Sequence, residues 1–327
     1  MNEPLNQTHT SWRTPPMKKL LLAASVLVSS SLVTLPASAA EPAACQTVRL
    51  GDVGWTDATA VTALTANVLH GMGYKTQTPM VALSVVYLSL QIKKLDAFMS
   101  DWEPSGASVI GPYLEKGAVE RIATNLSGAH YTLGVPDYVA AQGVHDFKDL
   151  ASWAEKFHGT IYGIEPGNDG NRIILGMIQH NEFGLGKFHL NESSEQGMLS
   201  QVARAVAAKE PIVFLAWEPH PMNMHFNITY LTGGEKAFGA SAEVDTIVRK
   251  GYLTECPNVG RLLKQLAFSV SAENEMMKAI SEDHVPAAEA TKQWLKAHPD
   301  VLDKWLDGVT TFDGAPALPA VRASLGL

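Results

Sequence analysis

The stretch Thr47–Pro104, TVRLGDVGWTDATAVTALTANVLHGMGYKTQTPMVALSVVYLSLQIKKLDAFMSDWEP, reads as strand, helix, strand, helix, strand and stop. Thr47–Gly54 alternates apolar and polar residues, as a half-buried strand does. In the next segment Val61, Leu64, Thr65, Val68 and Leu69 share one helical face, and Gly71 and Gly73 supply a stop, which predicts a helix over Ala58–Met72. A strand at Tyr74–Met80, a helix at Ser84–Lys94 and a strand at Asp96–Ser100 complete a βαβαβ unit. Consecutive strands joined by helices pair in parallel with right-handed crossovers, so the expectation is a doubly wound α/β sheet.

The stretch ends in Asp101-Trp102-Glu103-Pro104, and the word recurs as Ala216-Trp217-Glu218-Pro219 after the apolar run Pro211–Ala216. Trp55 stands likewise where the first strand gives way to a loop. In open α/β folds ligands sit just outside the carboxyl ends of strands, so the three tryptophans are candidate site positions, with core packing as the alternative for each.

Between the two words lies a second α/β unit. Ala129–Pro136, containing Tyr131, reads as an extended connection and a first hinge. A helix (Asp149–Lys156), a strand (Gly159–Ile164), a loop through Asn168 and Asp169 and a helix (Asn171–His180) follow. Ser193-Ser194-Glu195-Gln196 carries a capping-box pattern that opens a helix running to about Lys209. Ile228–Leu231 is expected to carry the chain back, and the remainder reads as largely helical. Two crossings between two α/β units describe a clamshell, with residues 40–130 and 228–327 in one domain and 131–227 in the other. Trp153, Trp294 and Trp305 fall at helical spacing with other apolar residues and are assigned to core.

With 327 residues and 46% hydrophobic composition the chain is long enough for two cores. Its first 39 residues are read as leader and signal peptide. Met17-Lys18-Lys19 is a basic n-region, Leu20–Val28 an apolar h-region and Ala37-Ser38-Ala39 a cleavage site. This form fits an exported protein of the bacterial periplasm. The formal net charge is −8, and removing the leader takes away Arg13, Lys18 and Lys19 against Glu3 alone, leaving the remainder more acidic. Without a Lys/Arg-rich stretch, nucleic acid and anionic lipid are poor partners. Cys45 and Cys256, the two cysteines of the chain, are expected to form a disulfide in an oxidising compartment, the alternative being two free buried thiols.

Trp55, Trp102, Trp217 and Tyr131 converging between two domains would make an aromatic box, which suits a quaternary ammonium ion. That cation has no N–H to donate, so ring faces select it where carboxylate hydrogen bonds cannot. At about 2 kcal/mol per desolvated face, four faces gross about 8 kcal/mol, close to the roughly 8.2 kcal/mol of micromolar binding. A buried cation also needs a counter-charge. Asp57, two residues after Trp55, can supply it or can cap the following helix. Asn168, on a Gly-flanked loop after a strand, can bond a ligand hydroxyl, while Asp169 can cap the next helix.

Asp52–Asp57, Ile161–Arg172 and Val213–Asn223 resemble the periplasmic choline-binding proteins of bacterial ABC importers, within the glycine betaine/choline/carnitine substrate-binding family. The resemblance runs over essentially the whole chain after the leader. It implies a type II periplasmic-binding clamshell that closes on choline without changing it and then docks on a membrane permease. Carnitine or glycine betaine is the alternative ligand. By motif, Trp55, Trp102, Tyr131 and Trp217 form the box, Asp57 the anionic partner and Asn168 the hydroxyl contact.

One departure concerns Trp102, which the choline-binding relatives flank with uncharged residues and this chain flanks with Asp101 and Glu103. Pointing inward, these acids favour a bare cation over a zwitterion; pointing outward, they carry no such consequence. The rival from another class is a periplasmic hydrolase of choline esters. No G-x-S-x-G elbow, H-E-x-x-H motif or P-loop accompanies it, and His220 and His225 are poorly spaced for a metal. The expectation is therefore a binding protein, acting as a monomer, with no cofactor, metal or catalytic residue.

Overall fold

Strands β1 (Thr47–Arg49), β2 (Lys75–Gln77) and β3 (Ala97–Glu103) alternate with helices Thr56–Gly71 and Leu83–Gln91 in a computed structural model that describes residues 10–13 and 40–327. The signal-peptide segment lies outside the described residues. β1 pairs in parallel with β2, and a parallel bridge from Leu50 to Ala97 joins it to β3. The βαβαβ reading of the opening stretch holds. The first helix is buried on more than the expected stripe, Ala60 and Ala66 included, because helices Val270–Ser281, Ala287–Ala297 and Ala317–Leu325 pack over its other side.

The two sheet regions are not separate. β4 (Val119–Pro136) is one strand of 18 residues. Its first part pairs with β9 (Ala242–Arg249), and its second part pairs with β7 (Phe214–Glu218) and β8 (Ile228–Tyr230), all antiparallel. The segment read as an extended connection, Ala129–Pro136, is thus the second half of a strand shared by both lobes. β5 (Thr160–Tyr162) pairs in parallel with β7 and with β6 (His189–Asn191), giving the order β3-β9-β4-β7-β5-β6 with β8 beside β4. Ile228–Tyr230 pairs with Gly134–Pro136, and Ala242 of β9 faces Ala129 across the ladder, so the chain returns to the first lobe along β9.

β9 lies in the region read as helical, and it is antiparallel to both its neighbours, β3 and β4. Its polar residues masked it. Asp245 is bonded by Thr124 Oγ1 at 2.7 Å and by Arg121 Nε at 2.8 Å, and Arg249 Nε donates to Asp96 at 2.8 Å. All of those partners lie more than a hundred residues earlier in the chain.

Two apolar cores support the lobes. One gathers Val48, Leu64, Met276, Trp294 and Trp305 between the first lobe's strands and its C-terminal helices. The other runs from Trp153 and Phe157 in the second lobe through the cleft to Trp55 and Trp102. Cys45 and Cys256 are joined in a disulfide with their Cα atoms 5.7 Å apart, tying the turn Ala43–Cys45 to the start of helix Pro257–Gln265. Among the described residues no helix is long and apolar enough to cross a membrane.

Candidate functional site

Between the lobes lies a small cavity lined by Trp55, Asp57, Trp102, Tyr131, Ile164, Asn168, Asp169 and Trp217. All six binding residues expected from the sequence line it. The rings are almost withdrawn from solvent, at 5% for Trp55 and Trp102, 6% for Tyr131 and 4% for Trp217. Tyr131 and Trp217 are direct partners in the β4–β7 ladder, which places their side chains on the same sheet face. Tyr131 meets Trp217 edge to face with centroids 6.2 Å apart and Trp102 at 5.7 Å.

The approach is close enough to need a glycine. A Cβ on Gly170 would stand 2.1 Å from the Tyr131 hydroxyl, so any other residue there would push the tyrosine out of the cleft. That hydroxyl donates to Asn168 Oδ1 at 3.3 Å.

Each polar group at the cavity has a structural reason for its position. Trp55 occupies the N-cap position of helix Thr56–Gly71, and Asp57 sits in the first turn, where a carboxylate is favoured. The Asp57 side chain also reaches the cavity, accepting from Trp102 Nε1 at 3.1 Å. Asp57 is thus not the cap of its alternative reading: Trp55 holds the N-cap position without a side-chain capping bond, and the Asp57 carboxylate faces the cavity from the first turn. Burial, and then the nearby charge of Glu195, push its carboxyl up to about 7.

The roles of Asn168 and Asp169 are not divided as their order in the loop implies. Asn168 is the N-cap of helix Asp169–Gln179, accepting from the Asn171 amide at 3.0 Å, and its Nδ2 donates to Asp169 Oδ1 at 2.8 Å. Asp169, read as the alternative cap, is 1% exposed at the cavity with Oδ2 lacking any hydrogen-bond partner. Burial holds its carboxyl above the usual range. Asn171 then locks the loop: its side chain accepts from the Ile164 amide at 3.1 Å and donates to the Ile164 carbonyl at 3.0 Å.

The acids beside Trp102 point away from the cavity. Residues alternate faces along a strand, so with Trp102 inward both neighbours face outward. Asp101 accepts from Tyr87 and from Arg121 at 3.4 Å, and Glu103 and Asp245 also pair with Arg121. One guanidinium thus gathers three carboxylates away from the site.

Three residues around the cavity carry contacts that the sequence does not announce. Glu165 accepts from Trp55 Nε1 across the cleft. Glu195 accepts from Thr56, and His220 bonds Glu195 at 3.2 Å. The cap of helix Glu195–Ala208 is Ser194, one residue later than the Ser193 of the capping-box pattern. That pattern absorbed Glu195 as a local helix signal.

Comparison with known proteins agrees with this architecture. Residues 46–297 match the family described as the substrate binding domain of ABC-type glycine betaine transport systems. The chain is similar to an ABC-transporter choline binding protein in complex with choline, at TM-score 0.86 and 49% identity, covering 88% of this chain and 100% of that one. Against such a protein in an unliganded semi-closed conformation the TM-score is 0.80 at 49% identity, covering 87% and 100%. The glycine betaine/carnitine transport binding protein GbuC of Listeria monocytogenes serotype 1/2a (strain 10403S) is 32% identical over 167 residues, 51% of this chain and 54% of that protein. These relatives are transport components, not enzymes. The two-lobe architecture is the type II periplasmic-binding fold, and the chain belongs to the family of substrate-binding domains of ABC-type glycine betaine transport systems.

Proposed function

We propose that this protein is the periplasmic substrate-binding component of an ABC importer and that it captures choline between its lobes for delivery to a membrane permease. Residues 40–130 and 228–327 act as one lobe and 131–227 as the other, and the carrier works as a monomer. The observation that supports the reading is the composition of the cavity lining: four aromatic rings, two carboxylates and no Lys, Arg or His.

Trp55, Trp102, Tyr131 and Trp217 offer ring faces to the trimethylammonium group, whose charge they attract without requiring a donor. Asp57 supplies the counter-charge that a desolvated cation needs. The hydroxyl end goes to the Asn168–Asp169 pair. Asp169 Oδ2 is an acceptor without a partner, and Asn168 Nδ2 keeps one N–H beyond the bond it gives to Asp169. An alcohol both donates and accepts, so it satisfies the two atoms together.

Glycine betaine and carnitine, the alternative ligands that the likeness to GbuC supports, carry a carboxylate. In this cavity it would meet Asp57 or Asp169 with no cationic side chain to neutralise it. Calorimetry with the three compounds tests the reading. The expected result is a dissociation constant for choline of about 1 μM, some 8 kcal/mol of binding, and at least tenfold weaker binding of the other two. Choline that fails to bind below millimolar concentration overturns it.

A further inference from the structure

We propose that Glu195 is a positioning residue that latches the lobes shut: from the second lobe it holds the segment Trp55–Asp57 of the first lobe in its ligand-facing position. The proposal rests on the reading of the cavity as a ligand site and adds to it a group that does not touch the ligand.

The helix that begins at Thr56 lacks a cap of its own. Trp55 occupies the N-cap position and makes no side-chain capping bond, so the first amides of the helix need an acceptor from elsewhere. Glu195 is that acceptor. Its Oε2 takes the Thr56 amide at 2.9 Å and its Oε1 takes the Thr56 hydroxyl, from 139 residues away in sequence. A negative carboxylate at a helix N-terminus is also favoured by the helix dipole. The cap of this helix is therefore supplied by the opposite lobe, and it is complete only when the lobes are together.

Glu195 is not occupied by its own helix. Ser194 caps that helix by accepting from the Gly197 amide at 3.1 Å. His220, 2% exposed, accepts the Met222 amide on Nδ1 at 3.0 Å, so its ring proton is on Nε2, which faces Glu195 Oε1 at 3.2 Å. Burial alone would raise the Glu195 carboxyl, but the bonds from His220 and Thr56 outweigh it and hold the group below the usual carboxylate range. His220 thus orients the Glu195 carboxylate toward the other lobe.

Thr56 lies between a ring of the box and its counter-charge, so pinning it fixes Trp55 and Asp57 at once. Trp55 gains a second anchor across the cleft through Glu165. The apparent affinity of a clamshell is its intrinsic affinity multiplied by the fraction of molecules able to close. Closure held partly by Glu195 therefore appears in ligand affinity, and chiefly in the rate of release.

The test compares the wild-type protein with Glu195→Ala and Glu195→Gln by stopped-flow tryptophan fluorescence with choline and by interlobe spin-label distances without ligand. The latch requires Glu195→Ala to release choline at least tenfold faster with association changed less than threefold, and to shift the unliganded distances toward longer values. Glu195→Gln, which keeps one acceptor oxygen, falls between. Unchanged release together with an unchanged distance distribution overturns the latch, as does a loss of affinity matched by an equal loss of unliganded stability. Failure of the wild-type protein to bind choline would overturn the ligand reading instead, and the ligand-free distances would still decide the latch: identical distributions in wild type and Glu195→Ala reject it.

Discussion

Trp102 and Trp217 each precede a cis Glu–Pro bond at the end of a strand, yet they are held by different means. Both rings meet Tyr131, but Trp102 is anchored in addition by polar groups. Its indole N–H bonds the buried Asp57, and its two acidic neighbours are drawn to Arg121 on the far face of the strand. Trp217 is held by rings, with Tyr131 edge to face on one side and His220, 4.9 Å between centroids, on another. The same word therefore delivers an aromatic face to one cavity from both lobes, while Glu103 pairs with Arg121 on the face away from it. What recurs is the strand end, with its alternation of faces.

The largest effect is expected when the polar anchor is removed. Trp102→Ala should weaken choline binding about a hundredfold, roughly two steps of 1.4 kcal/mol, and should also lower the unliganded Tm. Loss of the ring costs about 3–5 kcal/mol, and Asp57, left buried without its indole donor, adds about 1–3 kcal/mol. Trp217→Ala should weaken binding at least tenfold with a smaller fall in Tm, because it orphans no polar partner. Calorimetry and thermal melts of the two variants check this; equal losses of stability would break the contrast.

A second, smaller effect concerns protons. The Asp57 carboxyl is raised from 3.8 to about 7 by burial and then by Glu195. A bound cation favours the ionised form, so binding should expel a proton below pH 7. Affinity should rise up to about tenfold per pH unit toward neutrality and then level off, following 1.36 kcal/mol per unit. For the empty protein the sign is opposite. A carboxyl raised in the folded state contributes stability that is present below its unfolded value and is lost as pH rises through the folded value. Asp57 thus takes stability from the unliganded fold between about pH 4 and pH 7. Glu195, Glu273 and Asp169 are the other buried carboxylates nearby, and Asp57→Asn separates their contributions. The steep part of the affinity profile should flatten in that variant; a profile unchanged by the substitution rejects Asp57 as the counter-charge.

The smallest effect should come from Glu103→Gln. Its side chain faces Arg121 on the side away from the cavity, so choline affinity should stay within about twofold, and stability within the roughly 0–1 kcal/mol of an exposed pair. A larger change in affinity would mean that the Arg121 cluster reaches the ligand electrostatically, and the two Trp-Glu-Pro words would then differ in function as well as in anchoring.

Much of the placement of this site was legible from strand ends. Trp55, Trp102 and Trp217 were identifiable because an apolar run stops there, and Asp57 and Asn168 because each follows a strand within a few residues; Tyr131 lay inside a segment read as an extended connection, and the resemblance gave it its place in the box. Local pattern failed where two adjacent residues competed for one role. Asn and Asp both cap helices well, so the order Asn168-Asp169 did not reveal that the first caps and the second is left with a free oxygen in the cavity. It failed also for β9, which fell in the remainder read as largely helical, because the partners of its Asp245 and Arg249, namely Arg121, Thr124 and Asp96, lie far away in the chain.

The sequence by itself determined the α/β class and the set of residue types available to hold a quaternary amine, while the direction of Asp101 and Glu103 was decided only when Tyr87 and Arg121 were set beside them. The first two follow from periodicities of two and about 3.6 residues and from side-chain chemistry, which are local properties. Tertiary structure alone decided which groups meet across the cleft: Trp55 with Glu165, 110 residues apart, and Thr56 with Glu195, 139 apart. It also decided that one strand, β4, would run through both lobes. A hydrogen bond between distant segments leaves no trace in the spacing of either one. It exists only after the sheet has set the distance between them, and the groups that hold this cleft shut are of that kind.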